Sequence, residues 1–184
     1  MGAICSFEHE KLIVCTMYSD PAFLTKAEKM LIDTFGSYDL VSEDYSFSDD
    51  FSSYYDEELA GKAIRRIYSF EQCIDPSRLA GIKILTNSYE DLLSKDGNRR
   101  INLDPGLLNH GRVTLATTKN SGFRIPLSDG IYAEITLFFG QGGWNRLPWT
   151  YVDFQSELVK NFLLKVRKKY LNQRKAWLKS KCSD

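Results

Sequence analysis

Net charge, histidine, clustered cysteine and long apolar runs are all scarce in this chain of 184 residues. Its 24 basic and 24 acidic side chains cancel, which excludes a uniformly basic nucleic-acid binder. No apolar run approaches the roughly 20 residues of a membrane-spanning helix, so no membrane association is expected. Only His9 and His110 carry an imidazole. A site built from several histidines is therefore excluded, and a divalent cation would have to bind through carboxylates. The four cysteines, Cys5, Cys15, Cys73 and Cys182, lie far apart without a CxxC pair. Reduced thiols in a cytoplasmic protein are expected rather than a metal cluster or a disulfide framework. There is no GxSxG, so a serine nucleophile has no support. Glu8, His9 and Glu10 stand where a secretion signal would need a basic start and a longer apolar stretch. Met1-Gly2-Ala3-Ile4-Cys5-Ser6 does fit the short N-myristoylation pattern.

What is present suits one globular α+β domain over residues 1–184, with 171–184 as a basic extension. Hydrophobic residues make up 43% and aromatics 13%, enough to fill one core. The zero net charge hides two poles. Residues 1–60 carry 13 acidic and 3 basic side chains, and residues 155–184 carry 9 basic and 2 acidic ones. Such poles can dock on each other, recruit partners, or remain solvated on separate faces, and solvated faces are the expectation.

Lys11–Ser19 is a short, nearly continuous apolar run, the pattern of a strand covered on both faces. Asp20-Pro21 supplies a cap and a first-turn proline, and Phe23, Ala27, Met30, Leu31 and Phe35 follow at helical spacing to Gly36. A second strand is expected at 38–47, then an acidic loop at 48–60 with a helical turn near 55–59, and a third strand at 62–70. Asp75-Pro76 repeats the cap, opening a helix through Leu93 with a break near Thr86-Asn87. A fourth strand follows at 99–103. That order is βαββαβ, the ferredoxin-like plan. Segments 112–119 and 123–139 extend it as an antiparallel meander, with Ser128-Asp129-Gly130 as a hairpin loop. A long C-terminal helix with an apolar stripe then runs from Gln155.

Several stretches together resemble a known family. They are Ser52-Ser53-Tyr54-Tyr55, Ile82-Lys83 with Thr86-Asn87, Asn102-Leu103-Asp104-Pro105-Gly106, Leu115-Ala116-Thr117-Thr118-Lys119, Gly130 to Leu137, and Trp149-Thr150-Tyr151 with Asp153. In this order they are similar to the bacterial domain of unknown function 4416 family over about residues 10–170. The resemblance implies no established reaction. The GTP-binding label given to some members is not adopted, because the chain has no GxxxxGK(S/T) loop. Phe123-Arg124, Val152 and Leu107 stand where the family pattern has His-Arg, proline and tyrosine.

The hairpin loop sets Arg124 opposite Glu134, with Tyr132 and Thr136 on the same face. A structural cross-strand pair on a solvated sheet face is one reading. The other is a pocket in which Asn102, Asp104, Lys119, Arg124, Tyr132 and Glu134 hold a small phosphate- or nucleotide-type anion, or a divalent cation through the carboxylates. Taken alone, Asp104-Pro105-Gly106 reads as a turn. The Gly140–Gly143 run reads as a hairpin end, and Tyr54-Tyr55 as an anchor of the acidic loop. Binding of a small anion is the leading functional expectation. RNA binding through the basic C-terminal helix and a scaffold role are the alternatives.

Overall fold

The computed structural model describes residues 4–181, the side chains of Ser180 and Lys181 excepted. Met1–Ala3 of the myristoylation pattern, and Cys182, lie outside the described residues. Strand β1 (Glu10–Tyr18) is buried along its whole length, as its unbroken apolar run requires. Leu12, Val14 and Tyr18 face one side and pack with helices α1 (Pro21–Phe35) and α3 (Leu79–Leu92). Ile13 and Cys15 face the other and pack beneath helix α4 (Glu157–Lys181). The sheet is therefore covered by helices on both faces.

The helix ends follow local chemistry. The Asp20 carboxylate accepts the Ala22 N–H at 2.8 Å, and α1 stops at Gly36, whose φ of 84° suits a residue without a Cβ. Asp75 accepts the Ser77 N–H at 2.8 Å at the head of a 3₁₀ turn, Pro76–Arg78, that leads into α3. The expected break near Thr86-Asn87 does not occur. The Thr86 hydroxyl donates to the Lys83 carbonyl at 3.0 Å, within a continuous α3.

The second strand is split into β2 (Tyr38–Val41) and β3 (Tyr45–Ser46), both paired with β4 (Ile64–Ile74). At the split Ser42 replaces the ladder, its hydroxyl accepting the Ile67 N–H at 2.8 Å, and Asp44 swings out to pair with Arg66. Ser46 then caps the short helix α2 (Phe47–Asp50). A 3₁₀ turn follows at Ser53–Tyr55, slightly ahead of the expected position.

The remaining strands are β5 (Ile101–Leu108), β6 (Arg112–Thr117), β7 (Ile125–Pro126), β8 (Tyr132–Gly140) and β9 (Gly143–Arg146). All pairings are antiparallel. The order is β2-β4-β1-β5-β6-β8-β7, with β3 beside β4 and β9 beside β8. The glycine run at 140–143 is the β8–β9 hairpin end, as expected.

Helix α4 buries Val159, Phe162, Leu163, Val166 and Tyr170 and continues through the expected extension to Lys181. Instead of remaining solvated, the two poles meet here. Arg174 pairs with Glu8 at 2.6 Å, and Lys169 and the fully buried Lys11 share Asp39 at 4.0 and 2.5 Å. Gln173 accepts from Lys11 at 2.8 Å and donates to the Glu71 carbonyl. Among the described residues no helix is long and apolar enough to cross a membrane.

Candidate functional site

The site begins where two neighbouring strands part. β5 and β6 pair only through Gly106, Leu107 and Leu108 with Leu115, Thr114 and Val113. Before Gly106, β5 runs on beside β1 alone. Gly106 lies where the two strands touch, since a Cβ there would stand 2.5 Å from the Thr114 carbonyl oxygen. Asp104-Pro105-Gly106 is thus strand and not the turn its local chemistry suggests. The reason is tertiary. Successive strand residues turn their backbone groups to alternate sides, so Pro105 faces the fork, where no N–H is needed.

Leu103 faces the same way and would be left with an orphan donor and acceptor. Helix α3 supplies both partners. The Leu103 N–H donates to Glu90 Oε1 at 2.6 Å, and Lys83 Nζ donates to the Leu103 carbonyl at 3.0 Å. Lys83 and Glu90, seven residues apart on one helix face, are each only 5% exposed.

From this wedge a polar network extends into the fork. Lys83 also reaches Asp104 at 3.2 Å, and Arg99 holds Glu90 at 2.8 Å and Asn102 Oδ1 at 2.7 Å. Glu58 closes on the outer side of Arg99. Asn102 in turn donates to Asp104 at 2.5 Å. The buried Arg65 pairs with Asp153 at 2.9 Å and lies 3.8 Å from Asp104, and the Tyr45 hydroxyl donates to Asp153 at 2.9 Å. Burial pushes the Asp104 carboxyl up, but Lys83, Arg65 and the Asn102 bond outweigh it and hold it below the usual value. Burial prevails at Glu90, whose carboxyl is raised despite Lys83 and Arg99.

The strands enclose a cavity of about 120 Å³. Its floor is Arg65, Lys83, Asn102 and Asp104, its far wall is Ala116 to Lys119, and Tyr55 and Tyr151 stand at its sides. Four cations (Arg65, Lys83, Arg99 and Lys119) and one carboxylate line it. Among the described residues the side chains of Asn87, Thr118 and Lys119 have no internal partner. No three Asp, Glu, Cys or His side chains among them come together closely enough to hold a metal ion.

The predicted residues separate into groups. Asn102, Asp104 and Lys119 line the cavity. Arg124 and Glu134 have the expected register, since Ile125 pairs with Ala133 and Pro126 with Tyr132, and their side chains meet at 2.8 Å. They stand behind the cavity wall. Arg124 donates to the Lys119 carbonyl at 2.8 Å and to the Tyr151 hydroxyl at 3.2 Å. Tyr132 pairs with Thr117 and Pro126 and does not reach the cavity.

The face carrying Glu134 and Thr136 is buried rather than solvated, whereas Ile125 and Leu127 are exposed. Residues 147–153 fold back over β8, with Trp149 Nε1–H donating to the Ile135 carbonyl at 3.0 Å and Thr150 to that of Thr136 at 2.5 Å. Phe123 stacks on Trp149 at 4.6 Å. Burial pushes the Glu134 carboxyl up, against the pull of Arg124.

Sequence reasoning missed Arg65, Lys83, Asn87, Arg99 and Tyr151 as lining residues. Lys83 and Glu90 carried one usable signal, two opposite charges on the apolar stripe of a helix. Stretches that carry the resemblance also converge here, through Tyr55, Lys83, Asn87, Asp104, Lys119 and Tyr151.

A family model described as a domain of unknown function (DUF4416) matches residues 8–170. No curated protein and no solved structure matches the chain.

Proposed function

The chain belongs to the domain of unknown function 4416 family, and from the geometry of its cavity we propose that it binds a small phosphate-type anion at the β5–β6 fork. One observation carries this reading: Lys119 is a lining cation without an acidic partner, while Arg65, Lys83 and Arg99 are each paired with carboxylates. Thr118 adds an uncommitted hydroxyl donor. At about 120 Å³ the space suits a head group rather than a whole nucleotide. The scaffold supports preorganisation, since Arg124, clamped by the buried Glu134, holds the Lys119 loop by its carbonyl.

The order β2-β4-β1-β5, wholly antiparallel with α1 and α3 on one face, supports a ferredoxin-like reading of the segment from β1 to β5. The free thiols of Cys5, Cys15 and Cys73 support a reducing, cytoplasmic setting. Nucleic-acid binding through α4 draws less support, because Arg167, Lys169 and Arg174 are engaged with the body.

Thermal shift with inorganic phosphate tests the proposal. At 100 times its Kd, phosphate should stabilise the fold by about 2.7 kcal/mol, a rise of roughly 5–10 °C. Lys119→Ala should leave the unliganded melting temperature within about 2 °C, its side chain being exposed, and should abolish the rise. Absence of any rise in the native chain at saturating phosphate would dispose of the reading.

A further inference from the structure

The floor of the cavity says what the uncharged part of the ligand is, and the inference rests on the anion reading above. A site for a bare anion has no use for a carboxylate, yet Asp104 lies in this floor with 29% of its side chain exposed. One of its oxygens accepts from Lys83 at 3.2 Å and the other from Asn102 at 2.5 Å. A carboxylate offers about four lone-pair sites, and each oxygen of Asp104 accepts only one hydrogen bond, with the Arg65 guanidinium 3.8 Å from the second. Asn87, one helical turn beyond Lys83 on α3, adds an amide with no internal partner, able to donate and accept at once. Thr118 adds a free hydroxyl on the opposite wall. A charged acceptor, an amide and a hydroxyl around one small space form the donor-and-acceptor set that alcohol groups satisfy, since each alcohol both gives and takes a hydrogen bond. Tyr55 and Tyr151 give the same space aromatic walls, against which the C–H face of a carbohydrate can lie. Its volume of about 120 Å³ is close to the ~150 Å³ of a cavity that takes up benzene, room for one small ring or a short carbon chain.

We propose that the ligand is a phosphorylated sugar or polyol, with its phosphate on Lys119 at the rim and its hydroxyls on Asp104 and Asn87 inside. The arrangement divides the labour. Lys119 supplies charge attraction, and Asp104 with Asn87 supplies the selection of hydroxylated over plain phosphate esters.

Calorimetric titration of the full chain separates the two halves of this reading. The probes are inorganic phosphate, phenyl phosphate, glycerol 3-phosphate, ribose 5-phosphate and glucose 6-phosphate. At least one of the last three should bind about tenfold tighter than phosphate and phenyl phosphate, the equivalent of ~1.4 kcal/mol. Asn87→Ala should erase that advantage and leave the Kd for inorganic phosphate within about twofold. Because Asn87 is half-buried and has no internal partner, this variant keeps the fold, whereas Asp104→Asn would disturb Lys83 and Arg65 as well. If all five probes bind within about threefold of one another and lose affinity in Lys119→Ala, the hydroxyl inference fails and the anion site stands. If none binds, the anion site falls with it.

Discussion

Replacing Lys83 by methionine tests whether α3 does hold the fork open. Methionine keeps most of the stem volume and removes the ammonium. The loss leaves the Leu103 carbonyl without its donor at 3.0 Å and deprives Asp104 and Glu90 of a cation at 3.2 and 3.9 Å. An unmade bond at a buried acceptor costs about 1–3 kcal/mol, and breaking a buried ion pair about 3–5 kcal/mol. Asp104 keeps Asn102 and the more distant Arg65, and Glu90 keeps Arg99, so the lower end applies. We expect a loss of about 3 kcal/mol, a large share of the ~5–15 kcal/mol that holds a typical fold together. In a chain of this size that lowers the melting temperature by roughly 6–12 °C. Urea unfolding should show a lower midpoint at unchanged slope.

The pH dependence has a definite sign. Glu90 is raised in the folded state, so its ionisation costs stability as pH climbs from the usual 4.5 through the folded value. Asp104 is lowered, so it contributes stability that is present above 3.8 and lost as pH falls through the folded value. Lys83 eases the first cost and provides part of the second gain. The deficit of Lys83→Met should therefore be largest near neutral pH and shrink toward acid, first as Glu90 takes up its proton above the usual 4.5 and then, below 3.8, as Asp104 does. A loss under about 1 kcal/mol at pH 7, or a deficit that grows toward acid, would refute the assignment of Lys83 as the cap of Leu103.

Three further outcomes are expected. Gly106→Ala forces a Cβ to within 2.5 Å of the Thr114 carbonyl oxygen, and chemical denaturation should show a loss of about 1–3 kcal/mol or more. Iodoacetamide at pH 8 should alkylate the exposed Cys5 in the folded chain and spare Cys15, which is fully buried with its thiol pushed up to about 12 mainly by that burial; mass spectrometry after digestion distinguishes them. Truncation after Asn172 removes Gln173, which accepts from the fully buried Lys11 at 2.8 Å, together with the Arg174–Glu8 pair, and should lower the melting temperature by several degrees.

Local chemistry was legible without the fold. The caps at Asp20 and Asp75, the end of α1 at Gly36 and the unbroken apolar run of β1 each depend on residues a few positions apart, so spacing and residue type were enough. The Arg124–Glu134 register belongs to the same class, because a three-residue loop fixes which residues face each other. The site itself was not local. Asp104-Pro105-Gly106 carries turn chemistry, and it became strand because Gly106 must let β6 approach and Pro105 faces a fork that needs no donor. The polar face of β8 looked solvated and is buried, because a segment beginning at Leu147 returns over it to bond at Ile135 and Thr136. Lys83 and Glu90 are charges on an apolar helix stripe whose partner no local pattern shows, since it is the backbone of Leu103, left unpaired only once β5 and β6 separate. Sequence thus determined the elements and their caps, through contacts within a few residues. Tertiary structure decided the cavity, because its lining comes from β1, α2, β4, α3, β5, β6 and the loops beside them, and what each polar group must satisfy depends on where neighbouring strands stop pairing.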